Sequence, residues 1–391
     1  MQPSVRSHSL LPSLAPFDYQ PRTRVVFGEH TLERVGELAR EIGGKRALLV
    51  TDKGIVGAGH PARAIDFLEA AGLAVTVFDE VRENPTTLDV ERCVEVARGA
   101  EIDFIIGLGG GSSMDTAKGA NFILTNGGKM QDYWGVGKAA KPMLPLIAIP
   151  TTAGTGSECQ SYALISNEET HMKMACGDPK AAARVAILDP LLTVSQPPRV
   201  TACTGIDALA HALETTVTKR RTGQSSIYSR EAFRLCHGGL ERVLNDPGDL
   251  EARGMMQLGA AFGGTAIENS MLGAAHAAAN PLTARFGIPH GQAVGLLLPA
   301  VVAFNARDPL AHGRYMQLSA AAELGPIEEF IEELEILLDV AKMREDVSKF
   351  GVESKAFPVL AKEAAQQWTA GFNPRAVTAA DFEELYGEVF G

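Results

Sequence analysis

Through its first half the chain alternates short β-branched, apolar runs with stretches whose apolar residues recur at helical spacing. Residues 23–27, 47–51, 74–78 and 104–108 read as strands, while 62–71 and 87–97 read as helices. A further apolar run at 144–149 is closed by Pro150, and 162–165, 172–176 and 185–188 add short strands. Such alternation predicts βαβ units and a parallel sheet covered on both faces. Beyond Pro190, Pro197 and Pro198 the strand signal fades, and Ala/Leu/Glu-rich segments from 204 to 390 predict helix throughout. Thr204 is expected to cap the first of these helices. Asn245, Asp246, Pro247 and Gly248 should interrupt the pattern, and Pro281, Pro289, Pro326 and Pro374 should mark further ends. The expected organisation is an α/β domain over residues 1–196 and an all-α domain over 197–391, packed directly with a ligand cleft between them.

The 391 residues suffice for two such cores. With 47 acids against 36 bases the net charge is −11, and no basic stripe offsets it, so a nucleic-acid partner is not expected. The longest apolar stretches, such as 293–304, are too short to span a bilayer, and no membrane association is expected. The first 25 residues lack the apolar centre of a secretory signal and read as a frayed leader. Five cysteines, odd in number and without a C-x-x-C pair, indicate neither a disulfide framework nor a thiolate zinc site; a reducing cytoplasm is the expected setting.

Two loops carry candidate chemistry. Residues 103–118 read as a buried strand, a glycine turn and a helix start. There Gly109, Gly110 and Gly111 would let backbone approach a diphosphate, and Ser112 would cap a helix whose free N–H groups face the anion. A tight turn that binds nothing is the alternative. The glycines are not a G-x-G-x-x-G, whose ribose-binding acid follows by about 20 residues. Here the attractive acid, Asp52, precedes them at the end of a strand; it could accept hydrogen bonds from a ribose and disfavour a 2′-phosphate, or serve only as a turn residue. The second loop, Pro150 to Glu158, offers the hydroxyls of Thr151, Thr152 and Thr155 to a cofactor, or is a Ser/Thr-rich turn and nothing more.

Asp207 and His211 are four residues apart on a predicted helix and share a face. Asp207 also sits where a capping box would place an acid after Thr204. His276 and His290 lie in otherwise apolar surroundings. Three histidines and a carboxylate suit a divalent ion such as Fe²⁺ or Zn²⁺, and the absence of thiolate argues against a purely structural zinc. Asn280, four residues after His276, should look into the same space.

The ordered set GGGSSMDTAK, PTTAGTGSE, GIDALAHALE and His276 followed by His290-Gly291 resembles the iron-containing, or group III, alcohol dehydrogenase family over about residues 23–310. The resemblance implies an N-terminal dinucleotide-binding α/β domain with a parallel sheet, a helical C-terminal domain of the dehydroquinate synthase-like architecture, and an active site between them. It implies that Asp52 meets the adenosine ribose and that Asn84 lines the adenine end. It further places Gly110, Gly111, Ser112 and Asp115 around the pyrophosphate, Thr151, Thr152, Thr155 and Lys173 at the nicotinamide half, and Asp207, His211, His276 and His290 on the metal.

The activity implied is metal-dependent, NAD-linked oxidation of a small alcohol or reduction of an aldehyde or ketone, with NAD favoured over NADP, Fe²⁺ favoured over Zn²⁺, and a homodimer as the default oligomer. One position departs from the family: where a second, proton-relaying histidine commonly stands, this chain has Asn280, which can orient a substrate hydroxyl but cannot exchange a proton near neutral pH. Specialised relatives form a second group of readings: a maleylacetate reductase-like enzyme, a hydroxy acid or polyol dehydrogenase, or a dehydroquinate synthase-like lyase. The segments 271–283 and 289–299 contain no Lys or Arg, which argues against strongly anionic substrates, Arg285 being the one nearby exception. A non-catalytic structural homologue is the last alternative.

Overall fold

The computed structural model describes residues 16–170, 172–345 and 347–391. Most of the expected leader therefore lies outside the described residues. Strands β1 (Arg24–Phe27), β2 (Arg46–Val50), β3 (Ala74–Phe78), β4 (Phe104–Gly109), β5 (Gly135–Val136), β6 (Leu146–Pro150), β7 (Tyr162–Ser166), β8 (Lys173–Gly177) and β9 (Val185–Leu188) are interleaved with helices α1 (Val35–Glu41), α2 (Lys53–Gly57), α3 (His60–Ala70), α4 (Thr87–Arg98) and α5 (Gly111–Asn126). Six strands form one parallel sheet in the order β1-β9-β6-β4-β2-β3. Every residue of β4, β6 and β9 is buried, which is why their sequences are continuous apolar runs with no alternation. Successive side chains still part to opposite faces: Leu48, Ile105 and Ala148 join one core, Leu49, Ile106 and Ile147 the other.

Strands β7 and β8 do not extend this sheet. They pair antiparallel with each other, and β5 adds to β8 in a separate three-stranded sheet.

From Pro198 onward the described residues contain helices and no strand: α6 (Pro198–Val217), α7 (Gly223–Asn245), α8 (Leu250–Asn269), α9 (Ala274–Phe286), α10 (His290–Ala306), α11 (Pro309–Ala321), α12 (Ile327–Val340), α13 (Phe357–Gln366) and α14 (Ala379–Phe390), besides short 3₁₀ turns. Helix α6 is central. It is buried on all sides from Gly205 to Val217, with small or aliphatic residues around its circumference.

Two expectations about helix ends are corrected. Pro197 and Pro198, not Thr204, start α6: proline at the first helical position brings a pre-set φ and lacks an N–H that would go unpaired there anyway. Thr204 sits in the second turn, its hydroxyl donating to the Val200 carbonyl and accepting from Gln196. The capping-box explanation of Asp207 falls with it. Pro281 lies inside α9 rather than at its end, while Pro289 and Pro326 do stand at helix starts.

Glycines set how closely the helices meet the loops of the sheet. A Cβ on Gly264 of α8 would stand 2.1 Å from the Gly156 carbonyl oxygen, and one on Gly154 would stand 2.6 Å from Thr204 Cβ. The loop after β6 is thus pressed backbone to backbone on the helices. Alanine at an unconstrained helical glycine gains about 1 kcal/mol from propensity. We predict the opposite sign here: Gly264→Ala should lower stability by about 1–3 kcal/mol, read from the urea midpoint at unchanged m-value.

Candidate metal centre and nucleotide cleft

Strand β2 is flanked by β3 on one side and β4 on the other, and from β4 the chain continues in the opposite direction to β6 and β9. The order therefore reverses between β2 and β4, and the crevice outside their carboxyl ends is where open α/β sheets bind ligands. Asp52 follows β2 and Gly110–Ser112 follow β4, on either side of that crevice. Asp52 caps α2, one carboxylate oxygen accepting from the Ile55 N–H at 3.0 Å, while the other lies 3.5 Å from where a Gly109 Cβ would be. Gly109 adopts φ +150°, a value that excludes most side chains.

Ser112 is not the cap of α5. Gly110 occupies that position with no side-chain cap, and Ser112 lies in the first turn, where its hydroxyl accepts from the backbone N–H of Asn84 at 3.3 Å. A 16-residue helix thus presents a start without a capping side chain to the crevice, the arrangement that suits a phosphate. Asn84 itself has φ 53°. Thr152 and Thr155, from the loop after β6, back the glycines: their methyl groups lie 3.5 and 2.8 Å from where side chains on Gly110 and Gly111 would begin. Thr151 donates its N–H to the Gly109 carbonyl, and its buried hydroxyl has no partner. By contrast, Gly154 and Gly156 of the same loop are taken up by the contacts to α6 and α8.

Asp115 and Lys118, one turn apart on α5, meet Ser157 beneath these loops. Asp115 accepts from the Ser157 hydroxyl at 3.1 Å, and the buried Lys118 ammonium donates to the Ser157 carbonyl (2.6 Å), the Ser157 hydroxyl (2.9 Å) and the Tyr162 carbonyl (3.1 Å). Burial pushes Asp115 up to about 6 and Glu158 up to about 7, against the pull of Lys118 on both. Lys173, exposed at the start of β8, acts by charge on both Asp115 and His290 and lowers each.

The four candidate ligands come from three helices and meet at one oxygen. Asp207 Oδ1 lies 3.5 Å from His211 Nε2, 3.3 Å from His276 Nε2 and 3.9 Å from His290 Nε2. Ligand atoms of Asp207, His276 and His290 all fall within 4.8 Å of one another, and the His211 and His276 rings stack with centroids 4.9 Å apart. Asp207, His211 and His276 are buried, whereas the His290 side chain, on the first residue of α10, is 29% exposed, so the cluster opens on its side. Burial by itself would raise Asp207, but the three histidines outweigh it and hold the carboxyl below the ordinary range. Burial depresses His211 and His290, leaving neutral imidazoles, while at His276 the carboxylates of Glu214 and Asp207 overcome burial and raise it to about 9.

Whether a metal fits can be judged from what these atoms lack. Asp207 Oδ1 and His276 Nε2 are buried, aimed at each other's neighbourhood, and without a hydrogen-bond partner. Leaving such atoms unpaired costs about 1–3 kcal/mol each. One divalent ion at the centre of the set would satisfy both, and its nitrogen and oxygen donors suit Fe²⁺ or Zn²⁺.

Two partners of the histidines were not anticipated. Glu214 Oε2 accepts from His276 Nδ1 at 2.6 Å, and the Gly154 carbonyl lies 3.2 Å from His211 Nδ1. The spacing 207, 211, 214 puts Glu214 on the same face of α6, a periodic signal present in the sequence. Asn280, one turn beyond His276, donates to Gln367 Oε1 at 3.1 Å, across 87 residues of sequence and with no local signal. Next to Gln367, Trp368 packs on Tyr162 of β7, joining the C-terminal segment to the smaller sheet.

Comparison with known proteins places this chain among relatives. Residues 21–190 match the family described as iron-containing alcohol dehydrogenase, and residues 201–390 match its C-terminal counterpart, the Fe-containing alcohol dehydrogenase family C-terminal region. Alcohol dehydrogenase 4 of Schizosaccharomyces pombe is 35% identical over 92% of this chain and 86% of its own length. The NAD-dependent methanol dehydrogenase of Bacillus methanolicus is 32% identical over 92% and 96% respectively. Among solved structures, a 1,3-propanediol oxidoreductase superposes with a TM-score of 0.92 at 31% identity, covering 96% of this chain and all of that one.

The raised carboxyls carry a pH prediction. An acid whose value in the fold exceeds its unfolded one favours the protonated form, so its contribution is intact below about pH 4 and is lost as pH rises through the folded value. Free of metal and nucleotide, the protein should lose stability between about pH 4 and 7 on account of these two acids. Glu158→Gln should remove on the order of 3 kcal/mol of that loss, measured by urea unfolding across the range; an unchanged slope would show that Glu158 is not the group responsible.

Proposed function

The chain belongs to the iron-containing alcohol dehydrogenase family, and from that premise we propose that it is an NAD-linked, metal-dependent alcohol dehydrogenase that also runs as an aldehyde or ketone reductase. The observation that carries this is the convergence of three histidines on one buried carboxylate oxygen, in a chain whose uncapped helix start faces the switch-point crevice. When bound, the divalent metal supplies Lewis acidity at the alcohol or carbonyl oxygen, and the nicotinamide supplies the hydride acceptor or donor. Asp207, His211, His276 and His290 would hold the ion, with His290 on the side open to substrate.

The backbone of Gly110, Gly111 and Ser112 at the start of α5 would hold the pyrophosphate, with Asp115 beside it. Asp52 would accept from the adenosine ribose and repel a 2′-phosphate, favouring NAD over NADP, and Asn84 would line the adenine end. Thr151, Thr152, Thr155 and Lys173 would position the nicotinamide half; the charge Lys173 exerts on both Asp115 and His290 supports its place there. Asn280, on the His276 face of α9, would orient the substrate. Residues 1–196 would act as the nucleotide-binding domain and 197–391 as the metal- and substrate-binding domain, a division supported by the start of α6 at Pro198. All five cysteines are free thiols, which supports a reducing, cytoplasmic setting, and a homodimer is the proposed assembly.

Three outcomes test this. Stripped with a chelator and reloaded anaerobically with Fe²⁺ or Zn²⁺, the protein should turn over NAD with small primary alcohols or diols; no metal-dependent change in NADH absorbance across such a panel would refute the dehydrogenase reading. His276→Ala should bring metal content to background while leaving the circular dichroism of a folded chain. For the cofactor, Asp52→Gly should shift the NAD-to-NADP ratio of kcat/KM toward NADP by at least tenfold, about 1.4 kcal/mol; an unaltered ratio would remove Asp52 from the ribose site.

A further inference from the structure

Glu214 is buried on α6, one turn beyond His211, and both its oxygens are engaged with α9. Oε2 accepts from His276 Nδ1 at 2.6 Å, and Oε1 accepts from the Ala275 backbone N–H at 2.7 Å. Helix α9 is capped by Gly273, with no side-chain cap of its own, and a Cβ on Gly273 would lie 3.1 Å from Glu214 Oε1, a tight contact that glycine avoids. One carboxylate therefore ties a first-turn N–H of α9 and the imidazole of the next residue to α6.

An imidazole has one lone pair to give, and which nitrogen carries it depends on the hydrogen bond made by the other. An acceptor at Nδ1 fixes the proton there and leaves Nε2 free. Nε2 is the nitrogen that faces Asp207, at 3.3 Å. We propose that Glu214 is the positioning residue of the metal centre: it sets the His276 tautomer and ring orientation so that the Nε2 lone pair points to the ion, and it locks α9 to α6 at the spacing the four ligands require. This rests on the proposed role of His276 as a ligand.

Glutamine at 214 makes a sharp test because it keeps shape and volume but has a single acceptor oxygen. Whichever way its amide turns, an NH₂ faces either the Ala275 N–H or His276 Nδ1, and the second case forces the proton onto Nε2. The measurement is Zn²⁺ affinity by competition with a chromophoric chelator, with Co²⁺ absorption bands as a report on ligand geometry and circular dichroism as a check on folding. Glu214→Gln should weaken Zn²⁺ about 10- to 100-fold and shift the Co²⁺ bands in a chain that remains folded. Glu214→Asp, which keeps the charge but shortens the arm, should weaken it too and serves if the glutamine variant does not fold.

Zn²⁺ affinity and Co²⁺ bands within error of the parent in either folded variant, while His276→Ala binds no metal, would overturn the positioning role and leave the ligand assignment standing. Parent-like affinity in His276→Ala would instead overturn the ligand assignment on which it rests.

Discussion

A carboxylate in the middle of a helix that water does not reach must be compensated, and the arrangement around Asp207 follows from that requirement. Removing one partner from a buried ionic group costs about 3–5 kcal/mol, so Asp207 cannot stand alone on α6. Its partners come from one turn further along α6, from α9 and from the first residue of α10, and this fixes how those helices sit against each other. Two of those partners have their own in turn: Glu214 for His276 and the Gly154 carbonyl for His211. The second of these crosses from the helices to the loop after β6, so the polar network ties the helices to the sheet.

That loop is held by contact as well as by hydrogen bonding. Gly156 and Gly264 approach so closely that no side chain fits on either, and Gly291 at the start of α10 meets the Cys203 carbonyl in the same way. The same loop backs the glycines after β4 through Thr152 and Thr155. Crevice and histidine cluster are therefore positioned by one short segment, 150–157, packed on both. A hydride can pass only between centres held about 3–3.5 Å apart, and a rigid common wall is the simplest way to keep that register.

Much of this was legible in the chain, for physical reasons that differ from element to element. Strand β3 ends where the apolar run ends, because turn residues bound it on both sides. The histidines stood out because each is a polar residue in apolar surroundings, and Asp207 because it shares a helix face with His211. Glu214 carries the same periodic signal, three residues beyond His211 on that face. Thr204 misled because a cap-type residue before a periodic stretch looks the same whether the helix starts there or six residues earlier; the proline pair decided it. Ser112 stands two residues beyond the cap, Gly110, and its hydroxyl is left to accept from the Asn84 N–H. The Asn280–Gln367 contact left no trace, since it depends on where two segments 87 residues apart land.

The departure at position 280 bears on how a proton would leave. An amide one turn beyond His276 donates to another amide, Gln367, and neither can take up a proton near neutral pH. If Asn280 meets the substrate, it does so as a fixed dipole, and its orientation is set by Gln367 from the C-terminal segment. Proton transfer must then run elsewhere. Of the four clustered side chains only His290 opens toward solvent, and it is the one beside the charge of Lys173. Water reaching the cleft on that side, or a ribose hydroxyl of a bound cofactor, would give the proton a path that bypasses α9. Position 280 is then released from acid–base duty and free to serve recognition, through an amide that can both donate to and accept from a neutral hydroxyl.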